Sequence, residues 1–180
     1  MTPEAVQGAV IQMINHGLST GALFLLVGVI YERTHTREIS EYGGIAKVVP
    51  VFAVFFMIAS LSSIGLPGLN GFVGEFLILV GSFKSPVLNS WWFTVFAASG
   101  VIFAAVYLLW MYQRIFFGEV KNPKMNALPD MNKREIFILA SIFLFIVWIG
   151  IYPSTFLNVS AKSTQTIIEQ VVPNKILGMK

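Results

Sequence analysis

The feature that most constrains this chain is an apolar run that begins after Lys47 and continues to Phe83. As one straight helix it would be roughly 50 Å long at 1.5 Å per residue, well beyond the roughly 30 Å hydrocarbon core of a bilayer. Such a run has to be interrupted, and the interruption is written as Gly65-Leu66-Pro67-Gly68-Leu69-Asn70-Gly71. Pro67 has no amide donor, and the three glycines tolerate non-helical dihedrals. The expectation is two half-helices, Val48–Ile64 and Phe72–Phe83, with Pro67 and Gly68 at the centre of the break.

Three further runs are long enough to cross a membrane. The first goes from Ala5 to Ile30 and stops at the charged segment Glu32-Arg33-Thr34-His35-Thr36-Arg37. The third goes from Trp91-Trp92 to Trp110-Tyr112, with aromatic residues at both ends where interfacial belts fall, and its Ala97, Gly100 and Ala104 favour close helix packing. The fourth, Ile136 to Tyr152, is flanked by Lys133-Arg134-Glu135 and halted by Pro153. The fold class is therefore all-α: a polytopic transmembrane bundle of about four spans over residues 1–153, the second span broken. The segment 154–180 is more polar, and its Ile167-Ile168 and Val171-Val172 suit an amphipathic surface helix ended by Pro173.

Four spans put the loops after the first and third runs on one side, and these hold Arg33, Arg37, Lys47, Arg114, Lys121, Lys124, Lys133 and Arg134. The other side holds Lys84, Lys162, Lys175 and Lys180. The positive-inside bias turns the first set toward the cytoplasm and both termini outward. Met1–Gln7 carry Glu4 and no basic segment, so the first run reads as part of the mature protein and not as a signal peptide.

Composition removes several classes of function. Only 12% of the residues are charged, and the net charge of +3 is spread thinly over loops, which argues against a nucleic-acid surface. The chain has no cysteine, so it supplies no thiolate to zinc or to an iron–sulfur cluster. Gly65, Gly68 and Gly71 recur with a period of three, and neither a dinucleotide fingerprint nor a phosphate-binding loop is present. The two histidines are not at metal-ligand spacing, and no nucleophile–base triad is suggested.

Glu75 is the residue with the strongest claim to chemistry, since it sits just after the break in an otherwise apolar half-helix. An acidic residue at a span's centre costs roughly 2.5 to 3.5 kcal/mol, so it faces protein or a water-filled path. Desolvation and the positive end of the second half-helix pull its protonation in opposite directions, which suits proton exchange. The structural alternative is that it accepts hydrogen bonds from the broken backbone or pairs with a buried lysine. His16 shares a helical stripe with Gln12 and Thr20, flanked by Asn15 and Ser19; it reads equally as a proton relay and as a residue that joins two helices. Ser60, Ser62 and Ser63 are expected to hold water or cap freed carbonyls at the break. His35 reads as a solvated loop residue, with Arg33 and Arg37 available to a partner or to lipid head groups.

The stretch Gln12-Met13-Ile14-Asn15-His16-Gly17, the loop Tyr31-Glu32-Arg33-Thr34-His35-Thr36-Arg37 with Tyr42-Gly43-Gly44, and Gly65 through Phe76 resemble the antiporter-like chain M (subunit 4) family of NADH:quinone oxidoreductase. The resemblance extends more loosely to about Pro153. It implies two inverted repeats, each with a broken helix beside an ionisable residue, of which this chain carries the second. Glu75 then matches the acid of the second broken helix, where sister subunits usually carry lysine, and His16 matches the polar helix before it. The first repeat, with its glutamate and central lysines, is not in this sequence, so the resemblance is to a C-terminal portion.

It further implies an enzyme subunit of a bacterial inner membrane, with other membrane subunits and lipid as partners. Proton transfer would be coupled to quinone reduction, and NADH and quinone would be used elsewhere in the complex, with no cofactor bound here. The alternatives are a cation/proton antiporter or membrane-bound hydrogenase subunit, and a structural scaffold in which Glu75 and His16 only cement helices.

Overall fold

The computed structural model describes residues 2–86, 88 and 91–171. Six α-helices follow one another: α1 (Pro3–Thr34), α2 (Pro50–Ile64), α3 (Asn70–Phe83), α4 (Trp91–Phe116), α5 (Lys133–Ile151) and α6 (Ser154–Val171). Of these, α1, α4 and α5 are long and apolar enough to cross a membrane singly, whereas α2 and α3 are not. Together, α2 and α3 occupy the apolar run expected to form one broken span. Thr2 at the start of α1 donates to Gly81 O at the end of α3 (2.8 Å), so α1 and the α2–α3 pair run antiparallel.

The helix limits differ from the sequence expectation for local reasons. Thr2 caps α1 with Pro3 in its first turn, and the helix runs into the charged stop as far as Thr34, where His35 closes it in a left-handed conformation, φ 53°. His35 is thus a helix terminator as well as an exposed loop residue. The residues Ile45–Lys47 form a 3₁₀ turn, which moves the start of α2 to Pro50. α5 begins three residues early because Asn132 and Glu135 form a reciprocal capping box.

The close packing expected of the third span lies elsewhere. Ala97 and Gly100 are exposed, and a methyl added at Gly100 would meet nothing within 4 Å. The tight contact is between α1 and α3: a Cβ at Gly81 would stand 2.4 Å from Ala5 N, and one at Gly8 would stand 2.8 Å from Ile78 N. These glycines let two backbones approach as small residues do in membrane bundles. α4 buries one edge of its last turns, where Tyr112 and Phe116 lie on Phe52 and Phe56 of α2, and it also meets α3.

One end of the bundle is tied by charge. Arg33 donates to both carboxylate oxygens of Glu135 (3.0 and 2.8 Å) and to the carbonyls of Val29, Pro129 and Asp130. It is spent inside the chain and is not offered to a partner or lipid. The Asp130 carboxylate accepts from Val51 N (2.8 Å) and Phe52 N (3.1 Å), satisfying orphan donors at the start of α2 from a distant loop. Tyr42 bridges Thr34 and Thr36 O, and burial pushes its phenol above the ordinary tyrosine range, which keeps it a donor. Gly44 N donates to Phe117 O (3.0 Å), so the loops after α1 and α4 share one end of the molecule.

The tail segment forms the helix α6, which buries Thr164 and Ile168 and packs on α1. Val172 and Pro173 of that expectation lie outside the described residues.

Candidate functional site

Leu66-Pro67-Gly68-Leu69 forms a turn in which Leu69 N donates to Leu66 O (3.0 Å). Pro67 stands at its second position and Gly68, with φ 92°, at its third, the type II arrangement. The freed carbonyls of α2 are met by backbone: Gly65 adopts φ 82° and Leu66 N reaches Leu61 O (3.0 Å). The break is therefore narrower than its motif, because Asn70 and Gly71 already belong to α3. Gly71 rests on the last turn of α2, where a Cβ would fall 2.1 Å from Ser62 O; Gly150 of α5 backs the turn, where a Cβ would fall 2.2 Å from Gly68 O.

The serines do not cap carbonyls as expected. Ser62 is fully buried and joins a side-chain network with Ser19 (2.6 Å) and Asn70 Oδ1. The hydroxyls of Ser60 and Ser63 and the Oδ1 of Asn15 are buried without a protein partner.

The polar stripe of α1 is divided by the packing. Asn15 and Ser19 turn inward to the break, each below 5% exposed. Asn15 Nδ2 donates to Asn70 O (2.7 Å) and Asn70 Nδ2 donates to Asn15 O (3.2 Å), a reciprocal clasp between α1 and α3. Gln12 extends the network in the other direction. Its Oε1 accepts from Asn15 Nδ2 (3.2 Å) and its Nε2 donates to Glu75 Oε1 (3.4 Å). Glu75, half-buried, lies over Gly65, where a Cβ would sit 2.2 Å from Glu75 Oε2. His16 is outside this clasp: it is exposed, and its Nδ1 meets Thr20 Oγ1 at 3.1 Å.

What reunites the two halves of the stripe is a polar groove of about 260 Å³ lined by Gln12, Asn15, His16, Thr20, Ser63 and Tyr107, among others. With a water's share of liquid volume near 30 Å³, it has room for a short file of waters. Amide side chains do not readily pass protons on, so Gln12, Asn15 and Asn70 position. Hydroxyls, imidazole and water both accept and donate, so they are able to pass protons on. Asn70 is not among the residues expected to act, although it stands in the break motif and an amide in an apolar crossing is itself a sign of internal hydrogen bonding.

Residues 1–103 match the transmembrane family described as NADH:quinone oxidoreductase/Mrp antiporter. Over 167 residues the chain is 46% identical to NADH-quinone oxidoreductase subunit M of Rickettsia conorii, a match covering 93% of this chain and 33% of that protein. A chain of respiratory complex I from Thermus thermophilus with bound NADH superposes with TM-score 0.81 at 34% identity, over 93% of this chain and 35% of that one. A chain of the archaeal membrane-bound sulfane sulfur reductase superposes with TM-score 0.74 at 26% identity, over 85% of this chain and 25% of that one. The chain spans about a third of the length of the curated relatives it matches. By the extent of the family match and by this identity, it belongs to the NADH:quinone oxidoreductase/Mrp antiporter transmembrane family.

Proposed function

We propose that this chain contributes part of a proton-translocation path in a proton-pumping NADH:quinone oxidoreductase, with Glu75 as the proton-carrying group. The observation that carries the reading is the seating of Glu75 over the helix break at Gly65, hydrogen-bonded by Gln12, which itself lines the polar groove with His16. Gln12, Asn15 and Asn70 hold the carboxyl in place, while Ser19, Ser62, Thr20 and His16 offer groups that both accept and donate. Glu75 does not itself line the groove and the Gln12 amide does not relay protons, so water beside Gln12 would carry them between the Glu75 carboxyl and His16, and partner helices from other membrane subunits would cover the open side. NADH and quinone chemistry belongs elsewhere in the complex. The 46% identity to a subunit M supports this reading over a cation/proton antiporter or a hydrogenase subunit. By the positive-inside bias, the end where Arg33, Lys121 and Lys133 gather faces the cytoplasm.

The test is Glu75→Gln in the full-length subunit of the assembled complex. Glutamine keeps the volume and an acceptor for Gln12 but cannot exchange a proton. Proton pumping and NADH-driven quinone reduction in membrane vesicles should fall by about tenfold or more, with assembly intact. Parental rates in both assays would make Glu75 structural and end the proposal.

A further inference from the structure

The last turn of α4 and the segment after it enclose a groove of about 360 Å³ lined by Trp110, Gln113, Arg114, Phe117, Glu119 and Lys121. Trp110 and Phe117 are 59% and 57% exposed, and the exposed face continues along α4 through Val106 and Phe103. The Arg114 guanidinium lies over the Trp110 ring, 4.9 Å from its centroid. Stacking of this kind holds a cation at the depth where an interfacial tryptophan sits. Among the described residues neither Arg114 nor Lys121 forms an ion pair, in contrast to Arg33.

Two unpaired cations at the end of a bare apolar helix face match one kind of molecule, an anion attached to hydrocarbon. We propose that this groove binds the head group of an anionic phospholipid, its phosphate between Arg114 and Lys121 and its acyl chains along α4. Glu119 opposes one of the two cations, so the groove carries a single net positive charge. One basic charge at a membrane surface corresponds to a preference of about fivefold for an anionic over a zwitterionic lipid.

The experiment places the assembled complex in nanodiscs containing equal amounts of phosphatidylglycerol and phosphatidylcholine, one of the two carrying a photoactivatable acyl chain. Labelled peptides are then read by mass spectrometry. Phosphatidylglycerol should label residues 103–117 about fivefold more than phosphatidylcholine does, with no such preference at the exposed face of α5 around Phe137 and Leu144. Arg114→Gln with Lys121→Gln leaves Glu119 as the only charge in the groove and should turn the preference toward phosphatidylcholine. Should that variant fail to assemble, Glu119→Gln, which removes the opposing charge, should raise the preference by about another fivefold. Equal labelling by both lipids overturns the proposal, as does a preference unmoved by the substitutions. Absence of label means protein covers the groove, and full competition by inorganic phosphate means a free-anion site; either result also overturns it.

Discussion

Replacing Asn70 by alanine isolates what the clasp at the break contributes. Asn70 is fully buried at the first position of α3. Its side chain accepts from the Ser62 and Ser19 hydroxyls, which also bond each other, and donates to Asn15 O. Two hydroxyl protons serve the three contacts among Ser19, Ser62 and Asn70, so Asn70→Ala removes one full hydroxyl donation and the bond to Asn15 O but leaves the Ser19–Ser62 bond (2.6 Å) and the donation from Asn15 to Asn70 O. Side-chain hydrogen bonds inside membrane bundles average about 0.6 kcal/mol, so two give about 1 kcal/mol. The emptied volume adds about 1 kcal/mol. A loss of about 2 kcal/mol raises local opening by about thirtyfold. Hydrogen exchange of the assembled complex reads this directly at the amides of Gly65 and Leu66, which are held by Ser62 O and Leu61 O. Exchange there should accelerate by that factor, while α5 near Phe143 stays unchanged. If the break exchanges within about threefold of the parent, the side-chain clasp does not stabilise it, and the positioning role given to Asn70 is refuted.

Gly81→Ala should force α1 and α3 apart, because the methyl meets the Ala5 backbone nitrogen at 2.4 Å and Thr2 Oγ1 at 2.6 Å. The cost is about 2–3 kcal/mol, read as reduced assembled subunit, whereas Gly100→Ala should leave that level unchanged. Arg33→Gln and Glu135→Gln should each loosen the first turn of α5 in hydrogen exchange. The pair is bidentate and only 12% and 15% exposed, so a double-mutant cycle should give a coupling of about 2 kcal/mol. Additivity within about 0.5 kcal/mol would show the pair to be incidental.

The elements and their kind follow from the linear pattern of residues. Apolar runs of these lengths leave a chain in lipid no alternative to helices, since every backbone group must then be satisfied within its own segment. Pro67 and Gly68 likewise place the break, because one lacks a donor and the other admits positive φ. The isolated acid at Glu75 was legible for the same reason, as its cost in an apolar crossing singles it out. The capping box of Asn132 and Glu135 is a local pattern as well, but the expected start at Ile136 left it out.

Which face of each helix meets which neighbour is set by packing in three dimensions. The stripe from Gln12 to Thr20 is continuous in sequence, yet packing against α3 drew Asn15 and Ser19 into the break and left His16 in the open groove. The α2 start is capped by Asp130, 79 residues from Val51, and no local pattern announces that. The small residues of α4 carried the same composition signal as Gly8 and Gly81, but only the latter meet another backbone. The reason is common to all three: propensity and hydropathy act along the chain, whereas hydrogen-bond partners and close contacts depend on the rotation and crossing of helices that are distant in sequence.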